Sequence, residues 1–196
     1  MPLRSPCFRS IVLLVLAVSI CSVASAAEKP ALKLLKKKPA GLSEKIAGLL
    51  NPAGYHIDGP DGAVVEFWLV KDVGVNGKFK PTLNVKYPFM PGQLVGAMRI
   101  PEKSRFTDFR GQNVAAGVYT IRYGQQPEDG NHIGTSETAD FLMTIPAKYD
   151  TDPKPIFGPD QLSESSAKSV RSTHPAIFSL LAVEKPTDKP TLTHDE

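Results

Sequence analysis

The residues Asp108-Phe-Arg-Gly-Gln-Asn-Val-Ala-Ala-Gly-Val-Tyr-Thr-Ile-Arg-Tyr123 combine a turn signal with the clearest strand pattern in this chain. The segment from Arg110 to Asn113 contains glycine and asparagine, which tolerate the backbone conformations of tight turns, so we expect the chain to reverse there. After Gly117 the side chains alternate between two faces, with Tyr119, Ile121 and Tyr123 on one and Val118, Thr120 and Arg122 on the other. Alternation with a period of two, rich in aromatic and β-branched residues, predicts a half-buried strand.

The pattern Asp-x-x-Gly-x-x-Val-x-Ala-Gly-x-Tyr-x-Ile in this stretch resembles the penultimate strand and leading turn of immunoglobulin-like and fibronectin III-like sandwiches. In those folds a tyrosine near the start of the strand donates its hydroxyl to the backbone upstream, and Tyr119 is the matching position. The resemblance covers about sixteen of the 196 residues. It therefore implies a β-sandwich architecture and no particular activity.

Similar apolar segments, separated by glycine and proline, lie on both sides of this strand. We predict further strands over residues 54–57, 63–70, 82–87, 93–100 and 139–145, and a short helix over 43–50 with Ser43 as its N-cap. No helices alternate with the strands. The pattern therefore favours an all-β fold, an antiparallel immunoglobulin- or fibronectin III-like β-sandwich over residues 42–147 with strands from about residue 54.

The first 26 residues have the layout of a secretory signal peptide. Arg4 and Arg9 precede an apolar run, Ile11 to Ile20, which is too short to be a permanent membrane anchor, and small residues lead up to Ala26. We predict cleavage after Ala26 and a periplasmic or extracellular location. A lipoprotein anchored through Cys21 is one rival prediction, and the bulky isoleucine before that cysteine argues against it. A retained N-terminal anchor is the other.

The predicted mature chain has no cysteine and little net charge. Cys7 and Cys21 both lie in the leader, so core burial alone has to hold the domain together. Removing the two leader arginines lowers the net charge from +3 to +1, which argues against nucleic acid as a partner. Five lysines lie between Lys29 and Lys38, and we interpret residues 27–41 as a basic linker. Binding of a polyanionic surface, such as lipid head groups or an acidic wall polymer, is the alternative.

Three segments follow the predicted domain. Residues 148–158 are rich in proline and are interpreted as a semi-rigid linker. Residues 159–183 contain a short predicted helix that begins at Pro159 and an apolar segment, Ile177 to Leu181, that packs back onto the domain or docks onto a partner protein. The polar residues 184–196 are predicted to be disordered.

Trp68 and Glu66 share one face of the strand predicted over residues 63–70. An indole ring next to a carboxylate is an arrangement that binds sugars, with the ring as a stacking platform. We favour a core role for Trp68 instead, because large apolar strand residues are usually buried.

The loop of residues 124–138 is the strongest candidate for a binding surface. Loops at the end of a rigid sheet commonly carry binding residues, because the strands position them while the loop has no packing role. The candidate binding residues are Glu128, Asp129, Asn131, His132, Glu137 and Asp140, together with Trp68. Several oxygen ligands in one loop leave Ca²⁺ open as a cofactor, and no other cofactor is predicted.

Signals of catalysis are weak. Ser136, His132 and Asp140 have the residue types of a catalytic triad, but no oxyanion-hole or nucleophile-turn signature accompanies them. The sequence has no glycine-rich phosphate loop and no Cys/His set with metal-ligand spacing. A carboxylate pair for glycoside hydrolysis stays open, because the fold sets the separation of such a pair.

These features together favour an exported, non-catalytic binding or accessory protein that uses loops at one end of a β-sandwich. The expected partner is a cell-envelope polymer or another protein. One alternative is a structural or assembly protein that docks through its C-terminal segment. The other is a small hydrolase that uses the loop around His132.

Overall fold

The structure, a computed structural model, describes residues 30–127, 137–183, 185 and 187–193. The strands in this part of the chain are β1 (Ala31–Leu35), β2 (Gly54–Asp58), β3 (Val64–Leu69), β4 (Leu94–Ile100), β5 (Gly117–Gln125), β6 (Asp140–Pro146) and β7 (Ile177–Ser179). The α-helices are α1 (Glu44–Leu49) and α2 (Pro159–Ala167), and two short 3₁₀ turns span Pro60–Gly62 and Ala147–Tyr149.

The seven strands form one antiparallel sheet in which neighbours in sequence are also neighbours in space. The sheet curls into a half-barrel. The structure confirms the predicted all-β, antiparallel class. The finer prediction of two stacked sheets of the immunoglobulin or fibronectin III type is not confirmed, because the strands that the structure describes belong to a single sheet.

The central strand β5 has the alternation that the sequence predicted on its first face. Tyr119, Ile121 and Tyr123 are all buried in the larger hydrophobic core. The hydroxyl of Tyr119 donates a hydrogen bond to the carbonyl oxygen of Ala115 at 2.5 Å. This bond to upstream backbone is the contact that the resemblance implied for Tyr119.

The second face of β5 is buried as well, which differs from the half-buried strand expected from the sequence. Thr120 and Arg122 are both 0% exposed. The guanidinium group of Arg122 donates to both carboxylate oxygens of Asp150 and to three backbone carbonyls, those of Gly92, Asp152 and Lys154. Residues 148–158, interpreted above as a linker, therefore pack against the sheet, because they supply most of the acceptors for this buried cation.

The strand β1 lies inside the segment 27–41, which the sequence analysis interpreted as a linker. It pairs with β2 along its whole length and forms one edge of the sheet. Its lysine lies on the accessible side, which is a common way to protect the edge of a sheet from pairing with other chains. The lysines of this segment suggested a linker, whereas Leu32 and Leu34 flank Lys33 in the alternation that is typical of a strand.

Residues 82–87, predicted as a strand, form none in the structure. The backbone N–H of Val85 donates to the hydroxyl of Thr82 at 2.9 Å, and the N–H of Thr82 donates to the carbonyl of Val85 at 2.8 Å. Pro81 and Pro88 flank this turn. Because a threonine side chain can satisfy local backbone groups and proline removes ladder donors, the local turn replaces strand pairing here.

The two helices cover opposite ends of the second face of the sheet. Ser43 accepts a hydrogen bond from the backbone N–H of Ile46 at 3.3 Å, which confirms the predicted N-cap of α1. Helix α1 packs Ile46 in a core cluster with Trp68. Helix α2 begins at Pro159 as predicted and packs Leu162 against Ile145.

The apolar C-terminal segment packs back onto its own sheet, the first of the two alternatives considered for it. Residues 177–179 pair with β6, and the ring of Phe178 stacks on Phe106 with 5.7 Å between the ring centroids. The predicted leader, residues 1–26, lies outside the described residues, and the predicted disorder of residues 184–196 stays a prediction.

None of the helices in the described residues combines the length and the apolar character that crossing a membrane requires.

Candidate functional site

A line of four polar side chains crosses one face of the sheet from β1 to β4. Lys33 lies opposite His56, His56 opposite Glu66, and Glu66 opposite Arg99. Residues that are directly opposite in antiparallel strands have Cβ atoms about 4.5–5.5 Å apart. The four side chains therefore form one continuous line, which we call the charged row.

Glu66 is the centre of the charged row and its most buried member, with a side chain that is 6% exposed. Arg99 holds it in two-point contact, since Nε donates to Oε2 at 2.6 Å and Nη2 donates to Oε1 at 2.8 Å. Burial by itself raises the pKa of Glu66, but hydrogen bonds from Arg99 and His56 outweigh burial and leave this pKa below its ordinary value. The same pairing raises the pKa of Arg99. The pair is therefore ionised at neutral pH, with the Arg99 side chain 46% exposed beside it.

His56 lies between two carboxylates. Its Nδ1 is 3.0 Å from Oε1 of Glu66, and its Nε2 is 2.8 Å from Oδ1 of Asp58. Burial lowers the pKa of His56, but the hydrogen bonds and charges of these two carboxylates raise it above the ordinary value of 6.5. Asp58 also accepts a hydrogen bond from Lys33 Nζ at 2.7 Å, and this bond, together with that from His56, lowers the pKa of Asp58.

An open groove of about 630 Å³ lies beside Glu66 and Arg99. Its lining consists of Leu35 at the end of β1, the segment Lys36–Ala40 that follows, and Glu66, Trp68 and Arg99 of the sheet. We call this space the groove, the segment Lys36–Ala40 its wall, and the sheet residues Glu66, Trp68 and Arg99 its floor. The groove therefore lies between the end of the edge strand β1 and the Glu66–Arg99 end of the charged row.

The wall of the groove is rich in positive charge. Lys38 Nζ donates to the backbone carbonyl of Ala47, which holds the wall against α1. Lys36 and Lys37 are exposed, and within the described part of the chain neither forms an ion pair. With Arg99, the lining carries four cationic side chains against one carboxylate. The electrostatic potential of the groove is thus suited to an anion.

Trp68 contributes to the lining but is not an open platform for sugar stacking. Its side chain belongs to a core cluster, and the residue is 2% exposed, which confirms the core interpretation. Gly54 permits this position, because a Cβ atom at Gly54 would lie 2.3 Å from Nε1 of the indole. The two oxygens of its neighbour Glu66 are already bonded. The sugar-binding pair considered above is therefore not free in this structure.

The loop that the sequence analysis ranked first lies mostly outside the described residues. This applies to Glu128, Asp129, Asn131, His132 and Ser136, so the proposed calcium ligands and the triad stay predictions.

Two candidate residues of that loop region are described. Glu137 is exposed. Asp140 is 0% exposed and accepts hydrogen bonds from the hydroxyl of Tyr123 and from the backbone N–H of Lys86, the latter at 2.6 Å. Burial, and then the bond to Asp140, raises the pKa of Tyr123. Asp140 thus holds the segment between β3 and β4, which contains Lys86, against the sheet, and both of its oxygens are used in the interior.

In the residues that the structure describes, no group of three or more His, Cys, Asp or Glu side chains is arranged to hold a metal ion.

The charged row is a feature that the sequence analysis did not find. Its members come from four separate strands, so no short motif contains them. One available signal was a glutamate in the middle of an otherwise apolar strand, since a buried carboxylate needs a partner. A second was the spacing of His56 and Asp58, which puts both side chains on one face of a strand.

No protein-family model, curated protein or solved structure matches this chain.

Proposed function

We propose that this protein is an exported, non-catalytic binding protein that holds an acidic glycan chain of the cell envelope in the groove. The proposal keeps two predictions from the sequence, export by a leader cleaved after Ala26 and a domain of the β-sandwich class. The binding surface proposed here is the wall formed by Lys36–Ala40, in place of the loop of residues 124–138 that was predicted from the sequence.

The observation that carries the proposal is the charge of the wall. Lys36 and Lys37 are exposed next to a groove, and the carboxylate in the lining is already neutralised by Arg99. Exposed lysines act as compact point charges that bind phosphate or carboxylate groups, and no carboxylate of the described residues forms an ion pair with Lys36 or Lys37. A repeating acidic chain presents several such groups in sequence.

The shape and the apolar part of the lining favour a chain molecule over a flat membrane surface. A volume of about 630 Å³ is within the usual range of ligand-binding clefts. Leu35, Pro39 and Ala40 add apolar surface between the cations. The C–H faces of sugar rings are suited to such apolar positions, while the acidic substituents contact the lysines.

The state of the charged row supports binding in preference to catalysis. A general acid or base has to exchange a proton with a substrate and needs a free lone pair or proton in the site. Glu66 is bonded to Arg99 and His56 through both oxygens, and both nitrogens of His56 face carboxylates. These groups stabilise one another.

The experiment is a calorimetric titration of the chain from Ala27 onward with oligogalacturonate, an acidic glycan, and with a neutral oligosaccharide of similar length. We expect oligogalacturonate to bind, with an affinity that falls as salt is added, and the neutral sugar not to bind. The double variant Lys36→Gln/Lys37→Gln should lose about 2- to 30-fold in affinity, from about 0.2–1 kcal/mol for each exposed charge interaction.

The matched control is Lys78→Gln/Lys80→Gln, which removes two exposed lysines from the loop between β3 and β4. This variant has the same net charge and should bind like the wild type within about twofold, since separated exposed charges are screened. Equal losses in both double variants would show non-specific attraction and contradict a site in the groove. Binding to anionic lipid vesicles without binding to the glycan would contradict the choice of ligand.

A further inference from the structure

We propose that His56 is a proton-controlled anchor for the wall of the groove. When both ring nitrogens carry a proton, His56 holds the edge strand β1 and the floor of the groove together. When His56 loses one of these protons, it releases β1 and the groove attracts anions less strongly. The second effect rests on the proposed function, whereas the first concerns the protein alone.

The geometry requires the doubly protonated ring. Oxygens of Glu66 and Asp58 lie 3.0 and 2.8 Å from the two ring nitrogens. A neutral imidazole has one N–H donor and one nitrogen that only accepts, and a carboxylate oxygen cannot donate to it. Both contacts are therefore hydrogen bonds only in the imidazolium form, and deprotonation turns one of them into a repulsion between lone pairs.

Charged groups from each strand around His56 contribute to the electrostatic balance between its protonated and neutral forms. Lys33 approaches from β1, Asp58 lies on the same strand as His56, Glu66 comes from β3, and Arg99 comes from β4 beyond Glu66. The lysines of the wall add positive charge on the groove side. With His56 protonated, the two carboxylates are matched by three cations, and with His56 neutral they are matched by two.

The connection from His56 to the wall runs through β1. The carboxylate of Asp58 is hydrogen-bonded to both His56 and Lys33. His56 therefore orients the carboxylate that holds the Lys33 side chain of β1. The strand β1 ends at Leu35, and the wall begins at the next residue. Loss of the proton on His56 thus removes the bond that orients the Asp58 carboxylate towards Lys33, which lies at the middle of β1, three residues before the wall begins.

The second route from His56 to the groove is electrostatic. Glu66 bonds His56 and also lines the groove. When His56 is neutral, the charge of Glu66 is offset by Arg99 alone, and the floor becomes more negative by one unit. Both routes change the affinity for an anionic ligand in the same direction. A protonated His56 raises this affinity, and so does a wall that is held in place. The raised pKa of His56 places the change above the ordinary value of 6.5.

The first experiment needs no ligand. The pH titration of the His56 ring is followed by NMR in the chain from Ala27 onward, with the same ring in the urea-unfolded chain as the reference. Amide hydrogen exchange of residues 31–35 is measured over the same range and corrected for the intrinsic effect of pH. We expect the His56 ring to titrate at a higher pH in the folded chain than in the urea-unfolded chain. Exchange protection in β1 should fall about two- to fivefold across the His56 midpoint, the size of one partly exposed charge interaction, and more than in β5.

The second experiment compares oligogalacturonate affinity below and above that midpoint. We expect wild type and the control His174→Gln to lose about two- to fivefold in affinity as His56 deprotonates, the size of one exposed charge interaction. His56→Gln should show a flat profile over this range, because glutamine cannot change its charge. The titration of the wild-type ring keeps the test valid even if the variant is unstable.

A His56 midpoint in the folded chain at or below that in the urea-unfolded chain, or β1 protection that does not change across the midpoint, would overturn the anchor. If His56 and β1 behave as expected but oligogalacturonate binds at no pH, the proposed function fails while the anchor stands. If the glycan binds with the same pH profile in wild type and His56→Gln, the coupling to the groove is refuted.

Discussion

Replacement of Arg122 with methionine should remove a large part of the stability of this fold. The Arg122 and Asp150 side chains are 0% and 5% exposed. All five guanidinium N–H groups have acceptors, in the carboxylate of Asp150 and in three backbone carbonyls. Methionine fills similar space, but it leaves the buried carboxylate with the hydroxyl of Thr120 as its remaining side-chain donor among the described residues.

The expected magnitude follows from burial. Removing one partner of a buried ion pair costs about 3–5 kcal/mol, because the remaining charge stays out of water without compensation. A typical domain is stable by about 5–15 kcal/mol in total, so this loss is a large fraction of the stability of the fold. The double variant Arg122→Met/Asp150→Leu has no orphan charge. Its loss should be smaller than the sum of the two single losses by about 0.5–3 kcal/mol.

The control is an ion pair of the same length at the surface. Lys33 Nζ to Asp58 Oδ2 and Arg122 Nη2 to Asp150 Oδ1 are both 2.7 Å, but the Lys33 side chain is 65% exposed. Lys33→Met should therefore cost no more than about 1 kcal/mol. The free energy of unfolding is measured by urea titration at neutral pH, with the fluorescence of the single, buried tryptophan as the probe. Similar losses in Lys33→Met and Arg122→Met would refute the argument from burial.

Two further predictions concern stability. First, the raised pKa of His56 contributes stability that is complete below the ordinary value of 6.5 and is lost as pH rises through the folded-state pKa. The lowered pKa values of Asp58 and Glu66 act in the opposite direction. Their contribution is complete above the ordinary values of 3.8 and 4.5 and is lost as pH falls through the folded-state values. Urea titrations should thus give the largest contribution of the charged row between about pH 4.5 and 6.5, and His56→Gln should remove the decline on the alkaline side; an unchanged decline would assign it to other groups. Second, Gly54→Ala should destabilise by about 1–3 kcal/mol, because the added Cβ atom would lie 2.3 Å from the buried indole nitrogen. Gly48→Ala in α1, where a Cβ atom meets nothing within 4 Å, should be stabilising by about 0.5–1 kcal/mol, and a loss there as large as for Gly54→Ala would contradict the steric explanation.

Predictions from the sequence were correct where local chemistry decides the conformation. The period-two pattern from Tyr119 to Tyr123 requires only that one face of a strand is apolar. The cap at Ser43 and the start of α2 at Pro159 depend on the first turn of each helix. A turn at Thr82 was misread as a strand, because its hydroxyl competes for backbone groups that the alternation had assigned to a sheet.

The candidate site could not be found from the sequence in the same way. The sequence predicts a site in the polar loop of residues 124–138, because polar residues in a loop are the usual signal of binding. The charged row instead depends on which strand lies beside which and in what register. A shift of one residue in one strand would move its member of the row to the opposite face.

The sequence by itself determined that this chain forms antiparallel strands, where several of them lie and which side chains share a face, because these properties depend on residues within a few positions of one another. The tertiary structure alone decided that Arg122 is interior, that residues 31–35 are part of the sheet, and that Lys33, His56, Glu66 and Arg99 form one line beside a groove. Each of these outcomes depends on contacts between distant segments, which bring a carboxylate to a buried cation and set the register across four strands.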